Sequence, residues 1–207
     1  MSTKNAFTIV NQTGENILVA FISRMTGSDT YAWKVVGPSQ DQPHIEPFPN
    51  QMELVTNYFP QGQPNTDPYG GKQTDSVWWD NVNRTPTTYR TKWDDINNEL
   101  NMEIVGTNMG GADITLENNS TSMVFVHPKF GSNEYIPPVP LLPMSTVSYQ
   151  FEWPMSVAVV DGYSQYSPPN GELYVVKNKL SALSKILPGQ SVKITGNLAA
   201  GYKLVVS

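Results

Sequence analysis

The sequence predicts an all-β protein built from two related antiparallel β-sandwich repeats, arranged as tandem sandwiches or as one pseudo-symmetric double sandwich. Three observations predict this fold: short apolar runs separated by turns, prolines too frequent for long helices, and two sequence blocks that recur in the same order. The 207 residues include 17 prolines, which must lie at turns, strand starts or sheet edges. Runs of Val, Ile, Phe and Tyr bounded by Gly, Pro and Asn are typical of sandwiches and barrels.

The first recurring block is an alternating apolar run that ends in an Asn-polar-hydroxyl turn. Residues 7–13 (FTIVNQT) match residues 114–120 (ITLENNS), 107 residues later. A second apolar run follows each copy, at 17–22 and at 123–126. Alternation of this kind predicts half-buried strands.

The second recurring block is an aromatic residue, a proline, two variable residues and an apolar strand. It begins at Phe48 and again at Trp153, 105 residues later. Two blocks in the same order at nearly constant offset indicate a duplication, with an N-terminal repeat at 1–108 and a C-terminal repeat at 109–207. We expect Trp153 and Trp33 to pack in the cores.

The remaining elements of the C-terminal repeat are also predicted as strands. Residues 172–176 follow a Pro-Pro-Asn-Gly turn, and two further strands are predicted at 191–195 and 202–206. The segment 179–187 can form a short helical turn with three leucines on one face, or a strand.

One segment of the N-terminal repeat has no counterpart of the same length. Residues 60–95 are polar and rich in Gly and Pro at first, then aromatic. Insertions on a rigid scaffold are natural places for binding sites, because loops tolerate change and carry function. We therefore expect the functional site in this aromatic insertion, between residues 69 and 93.

The composition excludes several classes of partner. Charged residues make up 15% of the chain and the net charge is −5, which argues against nucleic acid as the main partner because phosphates need clustered Lys and Arg. No segment approaches 18 consecutive apolar residues, so no transmembrane helix is expected. The absence of cysteine favours a cytoplasmic protein, or one released without a classical signal peptide.

Most catalytic chemistries find no support, and we expect neither an enzyme nor a cofactor. The chain lacks cysteine and a Gly-x-Ser-x-Gly motif, and its two histidines, His44 and His127, are expected to be ordinary loop residues. Two isolated histidines cannot form a usual zinc site. The oxygens of residues 80–83 are closely spaced, which leaves calcium open, but an ordinary Asx turn explains them.

A pair of carboxylates for glycoside hydrolysis is the remaining catalytic alternative. Such an enzyme needs two carboxyl groups held at a set separation across a cleft. Acidic residues do crowd the insertion, although an acidic protein carries many of them on its solvated surface. The candidates are Asp75, Asp80, Asp94, Asp95 and Glu99.

The adjacent Trp78 and Trp79 are the strongest functional signal. Neighbouring side chains in a strand point to opposite faces, so one ring is expected in the core and the other outside, unless both are buried. An exposed indole beside amide and carboxylate groups suits carbohydrate, because the ring meets the C–H face of a pyranose while the polar groups bond its hydroxyls.

We therefore predict a non-catalytic, lectin-like protein, with Arg84 bracing the Asp80 carboxylate. Two alternatives stay open: a self-assembling structural or inclusion-forming protein that forms homo-oligomers, and a membrane-surface, toxin-like protein. The predicted ligand-binding residues are Trp78, Trp79, Asp80, Asn81, Asn83, Arg84, Tyr69 and Tyr89.

Overall fold

The computed structural model of the chain is built from β-strands, which confirms the predicted all-β class. Its described residues form twenty strands and contain no α-helix, so none of them belongs to a helix that could span a membrane. The strands assemble into several packed sheets, as expected for β-sandwiches. The structure describes residues 5–26, 29–60, 63–64, 66–107, 111–131, 133–151, 153–166, 173–176 and 180–207.

The described chain forms two compact units that do not coincide with the two sequence halves. Unit 1 combines the described residues of 5–49 with those of 153–166 and 173–207, and unit 2 comprises those of 50–151. Within the described residues, the chain passes from one unit to the other between residues 49 and 50 and again between residues 151 and 153. The boundary expected near residue 108 coincides with neither point. Apolar periodicity predicts where strands lie, but it does not predict which strands they pair with.

Unit 1 contains ten strands in two sheets. A four-stranded sheet has the order β20-β19-β1-β4, and a six-stranded sheet has the order β16-β17-β3-β2-β15-β18. Within the segment expected to be helix or strand, residues 180–186 are a strand that pairs antiparallel with Met155–Val160. The strands are β1 (Ala6–Asn11), β2 (Leu18–Thr26), β3 (Asp29–Val36), β4 (Pro43–Pro47), β15 (Met155–Val160), β16 (Ser164–Tyr166), β17 (Leu173–Val176), β18 (Leu180–Ile186), β19 (Ser191–Asn197) and β20 (Gly201–Val206).

Aromatic side chains fill the core of unit 1. The Phe7 ring centroid lies 5.1 Å from that of Phe21 and 5.4 Å from that of Phe48. Trp33 is buried as predicted, and its Nε1–H donates to the Met155 sulfur at 3.1 Å. Trp153 differs from the prediction: it is only partly buried, with its ring 5.5 Å from Phe48.

Unit 2 also contains ten strands in two sheets. One has the order β14-β10-β8-β9, and the other the order β12-β11-β5-β6, with β13 also paired to β11 and β7 to β5. The strands are β5 (Gln51–Tyr58), β6 (Lys72–Gln73), β7 (Val77–Asp80), β8 (Thr87–Asp94), β9 (Glu99–Thr107), β10 (Ile114–Asn118), β11 (Val124–Phe130), β12 (Asn133–Glu134), β13 (Val139–Leu141) and β14 (Thr146–Tyr149).

The sheet built on β5 positions the candidate site. Along this strand Met52 and Leu54 are fully buried in the core of unit 2, whereas Gln51 is exposed and Glu53 is partly exposed. Alternation of this kind separates a core face from an outer face. The outer face is the one that carries side chains able to meet a ligand.

Candidate ligand-binding site

Trp78 and Trp79 lie on β7 and point to opposite faces of the β5 sheet. Trp79 pairs with Met52 and is only 2% exposed, whereas Trp78 pairs with Glu53 and keeps 48% of its surface exposed. Of the two expectations for this pair, one ring inside and one outside is confirmed. The exposed ring is Trp78.

Trp79 and Tyr89 belong to the core, so their burial does not fit the predicted role of ligand contacts. The Trp79 indole N–H donates to the Thr85 carbonyl at 2.8 Å, and its ring packs 5.6 Å from Phe151. The Tyr89 hydroxyl donates to the Trp78 carbonyl at 3.0 Å. Burial raises the pKa of the Tyr89 phenol to about 12. Both residues fix β7 in place and thereby hold Trp78.

Asp80 and Asn83 form an Asx turn. This is the structure expected from the sequence in place of a calcium-binding loop. Asp80 Oδ1 accepts the backbone N–H groups of Val82 and Asn83 at 2.8 and 3.0 Å, and Oδ2 accepts the Asn83 amide at 2.6 Å. These donors, led by the Asn83 N–H, hold the pKa of Asp80 below its usual value. Asn81 is buried, and its N–H donates to the Asn50 carbonyl. The oxygens expected to bond sugar hydroxyls are therefore largely committed to the loop itself.

Arg84 does not brace Asp80 through its side chain, contrary to the prediction. It adopts a left-handed conformation at φ 50°, and only its backbone N–H donates to the Asp80 carbonyl. The guanidinium instead pairs with Asp113 at 2.6 Å and lies 5.5 Å from the centroid of the Trp79 ring. Asp113 also accepts the Phe151 N–H at 2.7 Å, so this ion pair ties the loop to the core.

Tyr69 lies in the segment 59–71, whose described residues pack on the outer face of the β5 sheet. Gly71 has φ 81°, and a Cβ on it would lie 2.2 Å from the Tyr58 carbonyl oxygen. The Tyr69 hydroxyl donates to Glu134 at 3.1 Å, and its ring lies 5.2 Å from that of His127. Tyr69 therefore holds the described residues around it on the sheet, beside the part of the face that stays open.

His127 and Glu134 form a buried pair beneath this segment. Both side chains are fully buried, with His127 Nδ1 2.8 Å from Glu134 Oε1 and Nε2 2.8 Å from the Pro68 carbonyl. Because a carbonyl only accepts, Nε2 carries a hydrogen. The expectation of an ordinary loop histidine was wrong, since His127 lies within β11 and its partners come from two other segments.

The polar neighbours of Trp78 are side chains that the sequence reasoning missed. Cross-strand partners share a face, and the register places Trp78, Glu53, Lys129 and Glu134 in one row across β7, β5, β11 and β12. Gln51 pairs with Asp80 one step along the same face, and the Ser76 hydroxyl donates to Glu53. We call the set Gln51, Glu53, Ser76, Trp78 and Lys129 the Trp78 platform.

A second region of unit 2 contains two depressions beside the β8–β9 hairpin. Their volumes are about 430 and 370 Å³. Asp94 accepts the Asn97 amide at 2.8 Å and the Ile96 N–H at 2.9 Å, and these bonds hold the pKa of Asp94 below its usual value. The linings are Lys92, Trp93, Asp94, Asp95, Ile96, Asn101 and Glu103 for the larger, and Tyr58, Lys72, Gln73, Thr74, Asp75, Glu99, Leu100 and Asn101 for the smaller.

The acidic residues of the insertion are not gathered around one cleft. Asp94 and Glu99 are cross-strand partners at one end of β8, while Asp80 precedes the other end of that strand. A general acid needs a raised pKa, yet the pKa values of Asp80 and Asp94 are lowered. Within the described part of the chain, no group of three or more His, Asp or Glu side chains is arranged to hold a metal ion.

Comparison with known proteins gives this geometry no precedent. No protein-family model, no curated protein and no solved structure matches the chain.

Proposed function

We propose that this protein is a non-catalytic binding protein that recognises carbohydrate on the Trp78 platform. The observation that carries the proposal is the indole of Trp78, which is half exposed although it lies on a strand held by two buried aromatic residues. A large apolar ring kept in water on a rigid strand is suited to stacking on a ligand. The C–H face of a pyranose is the complementary surface.

The polar members of the platform supply the hydrogen bonds that such a ligand needs. Glu53 offers carboxylate acceptors, Lys129 offers ammonium donors, and Gln51 offers an amide with both. Three neighbouring strands at their usual spacing give the exposed part of the row, from Trp78 to Lys129, a length of about 10 Å. A row of this length suits a short oligosaccharide better than a single sugar ring.

The lowered pKa values of Asp80 and Asp94 make these two carboxylates unsuited to the general-acid role in glycoside hydrolysis. Both carboxylates stay ionised at neutral pH and are occupied by N–H donors of their own loops. A glycosidase needs one carboxylic acid that still holds its proton near the working pH. Neither of these two residues meets that requirement.

The test is a glycan array followed by calorimetric titration of the best ligand with the wild type and the Trp78→Ala variant. We expect at least a tenfold loss of affinity in the variant, about 1.4 kcal/mol, with an unchanged circular dichroism spectrum. Tyr163→Ala is the matched control, because Tyr163 is a similarly exposed aromatic residue (42%) in unit 1. An array without any bound glycan, or equal losses in both variants, would contradict the proposal.

Self-association is the second candidate function, and edge strand β9 favours it. Ile104 and Val105 are 58% and 44% exposed on this strand, which pairs on one side with β8. Exposed apolar edge strands are sites where chains associate. An Ile104→Lys variant that abolishes concentration-dependent oligomers in light scattering, in a protein that binds no glycan, would favour this function.

A further inference from the structure

The two units pair their strands in the same pattern. In unit 1, β1 lies between β4, to which it is antiparallel, and β19, to which it is parallel. In unit 2, β10 lies between β14, to which it is antiparallel, and β8, to which it is parallel. In the second sheets, β2 pairs antiparallel with β15, and β11 pairs antiparallel with β5.

The same side-chain motif follows the central strand of each unit. Asn11 Oδ1 accepts the N–H and hydroxyl of Thr13 at 3.1 and 2.7 Å, and its amide donates to the Glu15 and Pro38 carbonyls. Asn118 Oδ1 accepts the N–H and hydroxyl of Ser120 at 3.0 and 2.7 Å. Its amide donates to the Ser122, Leu141 and Leu142 carbonyls. Topology and hydrogen bonding thus make β1 and β10 equivalent.

The equivalent strands divide the chain into four blocks. Block A holds β1–β4, block B holds β5–β9, block C holds β10–β14, and block D holds β15–β20. Blocks A and C are equivalent, as are blocks B and D. Unit 1 is nevertheless built from A and D, and unit 2 from B and C. Each unit therefore combines one block from each half of the sequence.

We propose that blocks A and D also pair between two copies of the chain, giving a dimer by strand exchange. In this dimer each copy forms unit 2 from its own blocks B and C, while block A of one copy completes unit 1 with block D of the other. Every strand pair of unit 1 is kept, because the partner copy carries an identical block D. Exchange of identical elements is a low-cost route to dimers, since it changes connectivity and keeps the packing.

Two short connections serve as the hinges of this exchange. Residues 48–50 join β4 to β5, and residues 150–154 join β14 to β15. Each is the point at which the chain leaves one unit for the other. Both contain the recurring aromatic-proline pair, Phe48-Pro49 and Trp153-Pro154. Proline has a fixed φ, which limits the conformations open to each connection.

Cysteine cross-linking tests the proposal, because the natural chain contains no cysteine. Thr8 of β1 and Ser191 of β19 are register partners on adjacent parallel strands, within the range that a disulfide spans. The Thr8→Cys chain and the Ser191→Cys chain are mixed, unfolded, refolded together at about 100 µM and oxidised. We expect a covalent heterodimer at a yield at least tenfold above that of a Thr8→Cys and Thr107→Cys mixture, since Thr107 lies in block B.

The double variant Thr8→Cys/Ser191→Cys shows that both substitutions are tolerated. Refolded in dilute solution, it should form the bridge within one chain and stay monomeric in light scattering. If this bridge forms while the mixed single variants give no more heterodimer than the Thr107 control, exchange does not occur. A wild-type dimer in light scattering without the Thr8–Ser191 cross-link would likewise overturn the proposal, because it would be an ordinary surface dimer.

Discussion

Asn118 is a polar residue in the core of unit 2, where a side-chain amide is stable only if its donors and its acceptor are hydrogen-bonded. Its side chain is completely buried, and the amide donates to three backbone carbonyls at 2.9 to 3.1 Å. Its Oδ1 also accepts the Thr91 hydroxyl from the neighbouring strand β8 at 3.0 Å. The side chain therefore ties three segments of unit 2 together at the end of β10.

Asn118→Ala should destabilise the protein by about 3 kcal/mol, because it leaves several buried carbonyl and hydroxyl groups without their partner. Chemical denaturation measures this loss as a lower midpoint. Asn119→Ala is the control, since Asn119 is exposed and next in sequence, and surface substitutions usually change stability by less than about 0.5 kcal/mol. Equal effects of the two substitutions would show that the buried amide network contributes nothing particular.

The role of an individual residue can be predicted from sequence when that role depends on residues close to it in the chain. The opposite orientation of Trp78 and Trp79 follows from strand geometry alone, and the Asx turn of Asp80 follows from residues three positions away. His127 could not be assigned in this way. Its partners are Glu134 on β12 and the carbonyl of Pro68, 59 positions earlier, and no local pattern links them.

The polar side of the candidate site was missed for the same reason. Glu53 and Lys129 join Trp78 only through the register of β5 with β7 and of β5 with β11. The alternation of β5, with Met52 and Leu54 inward, was the available signal that Gln51 and Glu53 face outward. This alternation identified the outward face of β5, but it did not identify the strands that lie beside β5 in the sheet.

At the scale of an element, two loops of unit 2 share one construction. Asp80 and Asp94 each accept the N–H groups two and three residues ahead and the amide of an Asn three residues ahead. The fifth residue of each loop, Arg84 or Asn98, has φ near 50°. In each loop the Asp carboxylate accepts the backbone N–H groups of the turn in place of a backbone carbonyl. The Asn side-chain amide also donates to this carboxylate and favours its ionised form.

Asp94 should titrate below its ordinary value of 3.8, mainly because the Asn97 amide bonds to the charged form. The interaction therefore stabilises the loop above about pH 4 and is lost as the pH falls through the folded-state pKa. Asn97→Ala should raise the midpoint of Asp94 in a carboxyl NMR titration and leave Asp80 unchanged. Asn83→Ala should do the converse, and a variant that moves both midpoints or neither would contradict this assignment.

The strand β18 shows how tertiary pairing decides an ambiguous segment. Three leucines at near-helical spacing allowed a helical turn between 179 and 187, but residues 180–186 pair antiparallel with β15 along their length. A lone turn of helix has little stability in water. The same residues gain inter-strand hydrogen bonds to β15 at the edge of the six-stranded sheet.

At the scale of the whole molecule, the sequence predicted the class of fold and the positions of about half of the strands. It did not predict which blocks come together, because an apolar pattern indicates a strand and its buried face but does not specify the strand with which it pairs. The expected boundary at residue 108 is the border between sequence halves, whereas the compact units join A with D and B with C. Connectivity of this kind depends on the short links between β4 and β5 and between β14 and β15.

The pairing of blocks makes a prediction about the chain cut between β9 and β10. Residues 1–108 carry A and B, and residues 109–207 carry C and D, so neither half alone contains both parts of a unit as the structure builds it. Coexpressed as separate chains, the halves should copurify as a 1:1 complex with the circular dichroism spectrum of the intact protein. Because unfolding then separates two chains, the melting temperature of the complex should rise with its concentration.

A cut inside a block is the matched control for this experiment. Separate chains 1–121 and 122–207 divide β10 from β11 within block C. They should yield less folded complex because β11 then loses its covalent link to β10. If 1–108 and 109–207 instead purify as independent folded monomers, each block has paired within its own half. That result would show that the short links alone direct A to D and B to C in the intact chain, since the strands themselves would accept either partner.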